Sequence, residues 1–277
     1  MRRLSVPFIA LALTAGLAAC GDDSDDDPTT TTDPGTTTTR SEAGSDVRVY
    51  FLRDEKVATA GRSADGGDVA TQAVESLLVG PTDEETGIAM SSEVPEDTEL
   101  LGIDVADGTA TVDLSSAFES GGGSLAMQAR VAQVVFTLTQ FPTVDDVTIT
   151  LDGDSVDGIG GEGVPAQGLT RADFEDLTPL VLVETPVPFE SVSAPLEAAG
   201  TSNTFEATVD YSLIDADGTV LDEGFATATA GSGTWGTFEV TIDADLSDSG
   251  TGTLTMFQTN QETGGRQDVY EVPITFD

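Results

Sequence analysis

Apolar residues alternate from the first legible strand. Val47, Val49 and Phe51 in VRVYFLR share one face and Tyr50 and Leu52 the other, so both faces are expected to be covered. The period then lengthens. Val69, Ala73, Val74, Leu77 and Leu78 form a stripe at helical spacing, with Asp68 placed to cap its start and Gly80-Pro81 to stop it. Leu101, Ile103 and Val105 alternate, as do Ala110, Val112 and Leu114. Asp107-Gly108 between the two runs predicts a two-residue hairpin, because both residues tolerate positive φ. Gly121-Gly122-Gly123-Ser124 leads into a second helix with Met127, Val131, Val134 and Leu138 on one stripe, ended by Phe141-Pro142. Val147, Ile149 and Leu151 supply the last main strand. The order β-α-β-β-α-β over residues 47–168 predicts helices packed on one face of a small sheet, an α+β sandwich.

Residues 169–179 read as a linker helix at a domain boundary: Thr170 is the N-cap, Asp173 follows three residues later, and Pro179 lies beyond. From 180 to 277 no helical period survives. Phe205, Ala207, Val209, Tyr211 and Leu213 predict one strand, joined through Asp217-Gly218 to Val220–Phe225. Phe238, Val240 and Ile242 predict another, and Tyr270, Val272, Ile274 and Phe276 the last. An immunoglobulin-like β-sandwich is expected, without its disulfide. Pro186, Pro188 and Pro195 are assigned to its opening strands and Pro273 to its last, at sheet edges. The fold class is thus α+β, a small α/β sandwich followed by an all-β immunoglobulin-like sandwich.

The amino terminus follows a different logic. Arg2 and Arg3 precede an uncharged apolar run from Val6 to Ala19, the order of a secretory signal over residues 1–19. That run is too short to span about 30 Å of hydrocarbon comfortably. It ends in Leu17-Ala18-Ala19-Cys20-Gly21, which resembles a bacterial lipobox, and Cys20 is the only cysteine in the chain. Lipidation of Cys20 is expected, since simple secretion would leave one odd thiol. Two acyl chains on a diacylglyceryl group hold a protein on a bilayer where one is marginal. Residues 20–46 continue as an acidic, Thr-rich tether, expected to be disordered, with Thr29–Thr32 and Thr36–Thr39 open to O-linked sugars. Residues 21–46 reach at most about 85 Å extended, and about 28 Å as a flexible coil.

Charge narrows the function classes. Ten Lys and Arg against fifty Asp and Glu give a net charge of −40, so no basic patch meets nucleic acid or anionic lipid headgroups. There is no His and one Cys, which removes Ser-His-Asp triads, Cys-His pairs and the usual zinc cages. Fifty carboxylates offer no means of selecting a glycosidase pair. Asp152-Gly153-Asp154 and Asp215-Ala216-Asp217-Gly218 lack the remaining ligands of a calcium loop and read as turns. Gly160-Gly161-Glu162-Gly163 lacks the Lys-Ser/Thr of a phosphate loop and reads as a turn that needs unusual φ. Trp235 and Phe257 are expected to pack in the core or its rim. No catalytic residue, cofactor or metal site is predicted. High external salt and lineage composition bias both explain the acidity.

Four stretches carry a family resemblance. Val49-Tyr50-Phe51-Leu52-Arg53, Leu77-Leu78-Val79-Gly80-Pro81-Thr82, Ala110-Thr111-Val112-Asp113-Leu114-Ser115-Ser116-Ala117-Phe118 and Gln133-Val134-Val135-Phe136-Thr137-Leu138-Thr139-Gln140-Phe141-Pro142 are, in this order, similar to the GerMN domain. That domain is named for bacterial sporulation and spore-germination proteins, and the likeness covers about residues 47–165. Gly200-Thr201-Ser202-Asn203-Thr204-Phe205-Glu206-Ala207, with Asp215-Ala216-Asp217-Gly218 downstream, resembles the immunoglobulin-like domain that often follows it. The resemblance implies a non-enzymatic envelope domain, found in lipoproteins that assemble with other proteins and related in shape to ring-building modules. The expected protein is a lipoprotein anchored through Cys20 on the outer face of the cytoplasmic membrane of an actinobacterium-like Gram-positive cell. It would act as an adaptor for other envelope proteins, in an oligomeric state the sequence does not fix. The competing reading is an extracellular ligand-binding lipoprotein for cell-wall glycan or metal ions, with an enzyme third. An enclosed pocket lined by aromatics favours the ligand reading; an exposed apolar patch or sheet edge favours assembly.

Overall fold

Asp54 (φ 52°) and Glu55 (φ 61°) turn the chain tightly, pairing β1 (Ser45–Arg53) with β2 (Lys56–Ala64) as an antiparallel hairpin. The computed structural model describes residues 45–277 except Glu162 and residues 247–249. The signal, Cys20 and nearly all of the expected tether lie outside them. β2 is absent from the order expected above. Its turn contains no Gly or Asn, and KVATAGRSA carries little strand propensity. Tertiary cover supplies what propensity lacks: Val57, Ala58, Thr59 and Ala60 are all buried.

α1 (Val69–Val79) starts where Asp68 accepts hydrogen bonds from the Ala70 and Thr71 amides at 3.2 and 3.3 Å, and ends at Gly80 (φ 88°). α2 (Asp83–Gly87) is one turn, opened by a capping box between Thr82 and Glu85. β3 (Leu100–Ala106) and β4 (Thr109–Leu114) form the expected hairpin, with Asp107 at φ 52° and Gly108 at φ 90°. β4 runs parallel to β5 (Asp146–Leu151), so the chain must cross over, and α3 (Ser124–Leu138) makes that crossover. Here the expected single stripe is too narrow. Eleven of the fifteen α3 residues are buried, including Arg130, Gln133 and Thr137, which places α3 inside the fold. Gln133 satisfies its amide there by donating to the Tyr50 carbonyl at 3.2 Å and accepting from the Glu93 amide at 2.9 Å.

β6 (Asp154–Ser155) completes the sheet β3-β4-β5-β6; β7 (Gly158–Ile159) and β8 (Val164–Pro165) make a small separate pair. β1 and β2 stand apart from that sheet, so the single small sheet expected from the sequence is in fact a four-stranded sheet plus a hairpin. Residues Arg171–Leu177 form a 3-10 segment kinked at Phe174, with Phe174 and Leu177 buried, in place of a regular linker helix.

The remainder is a two-sheet sandwich. One sheet is β14-β11-β9, from β9 (Val181–Thr185), β11 (Leu196–Ser202) and β14 (Gly236–Ile242). The other is β10-β16-β15-β12-β13, from β10 (Ser191–Val192), β12 (Thr208–Asp215), β13 (Val220–Thr227), β15 (Gly250–Thr259) and β16 (Arg266–Phe276). Inward residues such as Leu182, Leu213, Ile242, Leu254 and Val272 are buried, as alternation predicts. Two details differ. Phe205–Ala207 is a 3-10 turn with positive φ at Glu206 and Ala207, leaving Phe205 exposed, and the strand starts only at Thr208. Pro186, Pro188 and Pro195 lie between strands, because a missing N–H suits a loop as well as an edge. Pro273 lies in β16 where β10 does not reach, and its carbonyl accepts from the Phe189 amide at 2.6 Å.

Candidate functional site

β2, the strand the sequence hides, lies against the sandwich. Gly61 permits the approach: a Cβ there would sit 2.5 Å from Val187 Cγ2. The Thr59 amide donates to the Tyr270 hydroxyl at 3.0 Å. Arg53 stacks on the Tyr270 ring at 4.5 Å and donates to the Glu271 carbonyl at 3.0 Å, and Lys56 Nζ donates to the Asp176 carbonyl. Buried apolar side chains continue across this seam as one cluster from Val49 to Phe276, and the described residues from 45 on belong to one compact unit.

Arg171 sits at the centre of the seam. Its Nε donates to Thr139 Oγ1 at 2.9 Å, Nη1 to Glu184 Oε1 at 2.9 Å and Nη2 to the Tyr50 hydroxyl at 3.1 Å. Tyr50 in turn donates to Glu184 Oε1, and the guanidinium lies 5.2 and 4.8 Å from the Tyr50 and Phe136 ring centroids. One side chain thus ties β1, α3 and the 3-10 segment to β9. Burial would raise the Glu184 carboxyl, but the Arg171 guanidinium and the Tyr50 hydroxyl outweigh it and hold the group below the ordinary carboxylate range. For Tyr50, burial first and Glu184 second push the hydroxyl far above the usual phenol value, so it remains a donor. Burial opposes the charge on Arg171, and Tyr50 and Glu184 more than restore it. These groups are bonded to one another, which makes the cluster a mechanical joint.

Three further arginines are held in internal contacts. Arg62 binds Glu85 through two contacts at 2.6 and 2.8 Å, Arg130 donates to the Phe118, Ser120 and Gly121 carbonyls, and Arg266 stacks on Phe257 at 4.4 Å. Sequence reasoning did not single out Tyr50, Arg171 or Glu184. The scarcity of cations was the available signal: in a chain with so few, Arg62, Arg130 and Arg171 each mark a place where carbonyls or carboxylates converge.

The motifs weighed in the sequence are engaged as turns. Asp152 (φ 50°) and Gly153 (φ 83°) turn β5 into β6, with Asp113 accepting from the Gly153 amide at 2.9 Å. Asp215 accepts from the Asp217 and Thr219 amides at 2.9 and 2.7 Å. Gly160 and Gly163, both at positive φ, close the β7–β8 turn, and Gly160 packs against Met127. Among the described residues no group of three or more Cys, Asp or Glu is placed to hold a metal ion. Trp235 and Phe136 line a cavity of about 190 Å³ beside Arg171. Phe257 is buried on the outer face of its sheet beneath Arg266, whereas β3 presents Leu101 and Val105 at its margin.

Comparison with known proteins accounts for both halves. Residues 48–157 match the Germane family, described as sporulation and spore germination. Residues 180–265 match Gmad2, the immunoglobulin-like domain of bacterial spore germination. The chain carries a GerMN-type domain and a spore-germination immunoglobulin-like domain.

Among solved structures, the first GerMN domain of the sporulation protein GerM from Bacillus subtilis is 28% identical, with a TM-score of 0.41, covering 46% of this chain and 98% of its own. The tandem GerMN domains of the same protein are 21% identical (TM-score 0.40), over 72% of this chain and 61% of theirs. A candidate lipoprotein from Clostridium perfringens is 25% identical (TM-score 0.36), over 48% of this chain and 91% of its own. The sequence matches, and not these superpositions, carry the assignment of the two domains. No curated protein matches the chain. Within this frame the Tyr50–Arg171–Glu184 joint fastens the GerMN domain, which supplies Tyr50, to the immunoglobulin-like domain, which supplies Glu184.

Proposed function

We propose that this protein is a non-catalytic adaptor of the cell envelope, anchored by a lipid on Cys20 to the outer face of the cytoplasmic membrane and binding other envelope proteins through its two domains. The observation that carries this reading is the pairing of a sporulation-family domain with a spore-germination immunoglobulin-like domain, clamped into one unit. Neither family description names a catalysed reaction. Rigidity supports an adaptor physically, because a fixed angle between two binding surfaces lowers the entropy cost of engaging both. Among the described residues no helix is long and apolar enough to cross a membrane; the lipid attachment is proposed from the lipobox-like run ending in Cys20. Crosslinking in native membranes followed by mass spectrometry tests the reading, with Cys20→Ser as its control. Expected are adducts with other envelope proteins in the wild type, and either release of the Cys20→Ser protein to the medium or an unprocessed precursor. A wild-type protein that emerges alone argues against the adaptor, and a processed Cys20→Ser form retained on the membrane argues against the lipid anchor.

A further inference from the structure

The four-stranded sheet of the GerMN domain has one closed margin and one open one. On the β5 side the returning chain seals the ladder: the Ile149 amide donates to the Ala166 carbonyl at 2.7 Å, and Val147 and Leu169 exchange two bonds at 2.9 Å. On the other side β3 is bonded to β4 and, among the described residues, no further strand pairs with it. The two-residue turn fixes which groups are free. Ala106 and Thr109 close the hairpin as a bonded pair, so Asp104 bonds to β4 while Ile103 and Val105 turn their N–H and C=O groups outward. Ile103 and Val105 share the apolar face with Val112 and Ala110, and Leu101 lies beside them where the register shifts between Leu100 and Gly102; Leu101 is 49% and Val105 40% exposed. An open ladder beside a row of alternate apolar side chains is the form of an edge that accepts another strand. β13 is also an edge, but it carries the adjacent acids Asp222 and Glu223 within the strand, whereas Asp104, the acid within β3, is set apart by apolar residues.

Charge selects the occupant. Between Arg62 and Arg130 the chain holds fourteen Asp and Glu and no Lys or Arg. Glu96, Asp97, Glu99, Asp104 and Asp107, all exposed, lie on β3 or at its ends. A second copy of this chain would bring the same field and be repelled; a cationic segment would be drawn in. We propose that β3 is the docking edge for an extended, basic segment of a partner protein, which adds a strand beside Leu100–Ala106. Its apolar residues cover Leu101 and Val105, and Lys or Arg at intervening positions meet Asp104 and the flanking acids. The proposal rests on the adaptor reading and names the surface and chemistry that reading would use.

The test places a photoreactive benzoylphenylalanine in the full-length protein in its native cells, at Val105 and, separately, at the exposed Val79 and Val220. Expected is an adduct at Val105 whose partner peptide alternates apolar residues with Lys or Arg. Adding Leu101→Lys should cut its yield about tenfold, while Leu101→Glu leaves it within about threefold, because like charge across an interface is penalised. Leu101 is a half-exposed edge residue, and matched circular dichroism spectra establish that both variants fold. Adducts confined to Val79 or Val220 overturn the β3 edge while leaving the adaptor reading standing. So does a Val105 adduct to an acidic peptide or to a second copy, or equal sensitivity to both Leu101 variants. Absence of adducts at all three positions overturns both.

Discussion

Replacing Glu184 with Leu leaves the Arg171 guanidinium without its carboxylate among Tyr50, Phe136 and Thr139. Severing a fully buried ion pair costs about 3–5 kcal/mol. The Arg171 and Glu184 side chains keep 26% and 15% exposure, so solvent screening reduces this to about 2–3 kcal/mol. At about 2–4 °C per kcal/mol for a body of this size, the melting temperature falls by about 4–12 °C. A cycle of Glu184→Leu and Arg171→Met separates the pair from its surroundings. It is run in a Tyr50→Phe background so that no phenol hydroxyl is orphaned. Removing both charges in favour of apolar groups is expected to recover most of the loss, with a coupling energy of at least about 1.5 kcal/mol by urea unfolding. Trp235 is the only tryptophan and shares the cavity beside Arg171. In the Glu184→Leu protein its emission should therefore red-shift at lower urea than the far-ultraviolet signal is lost. Additive single losses, within about 0.5 kcal/mol, together with coincident transitions in both probes, would refute the claim that this triad couples the domains.

Glu184 is held below the ordinary carboxylate range, so its contribution is complete above the unfolded value of about 4.3 and disappears as pH falls through the folded value. The stability difference between wild type and Glu184→Gln should be flat from pH 8 to about 5 and shrink below about pH 4; equal slopes in both proteins down to pH 2 would exclude the assigned shift. Gly108→Ala forces an L residue to φ 90° and sets its Cβ 2.5 Å from Asp145 Oδ2, which should cost about 1–3 kcal/mol in urea unfolding. A loss under about 0.3 kcal/mol would show that the β3–β4 turn relaxes freely. Arg53, Lys56, Arg62, Arg130, Arg171 and Arg266 are held in internal contacts while acids cover the surface. The melting temperature is therefore expected to rise from low to molar salt, and a flat or falling curve would remove self-repulsion as a significant term.

The sequence alone determined the elements whose signals are local. Asp107-Gly108 set the β3–β4 hairpin because only certain residues take positive φ in succession. Asp68 and Gly80 bounded α1 because helix ends need partners for unpaired groups, and alternation in the last strands placed a sandwich after residue 180. The composition likewise removed imidazole and thiol chemistry from the described part of the chain before any fold was known. What only the tertiary structure decided is held by distant partners. β2 has neither propensity nor a glycine turn and exists because β1 and the immunoglobulin-like domain cover it. α3 shows one stripe in sequence yet is buried on every side from Ala129 to Leu138, because Gln133, Thr137 and Arg130 find buried partners that no spacing announces. Arg171 meets Tyr50 across 121 residues, and the openness of β3 depends on where the chain near Leu169 returns. Turn and cap preferences act over a few residues and are written in order along the chain. A joint or a free edge depends on which surfaces meet, and that is fixed only when the core closes.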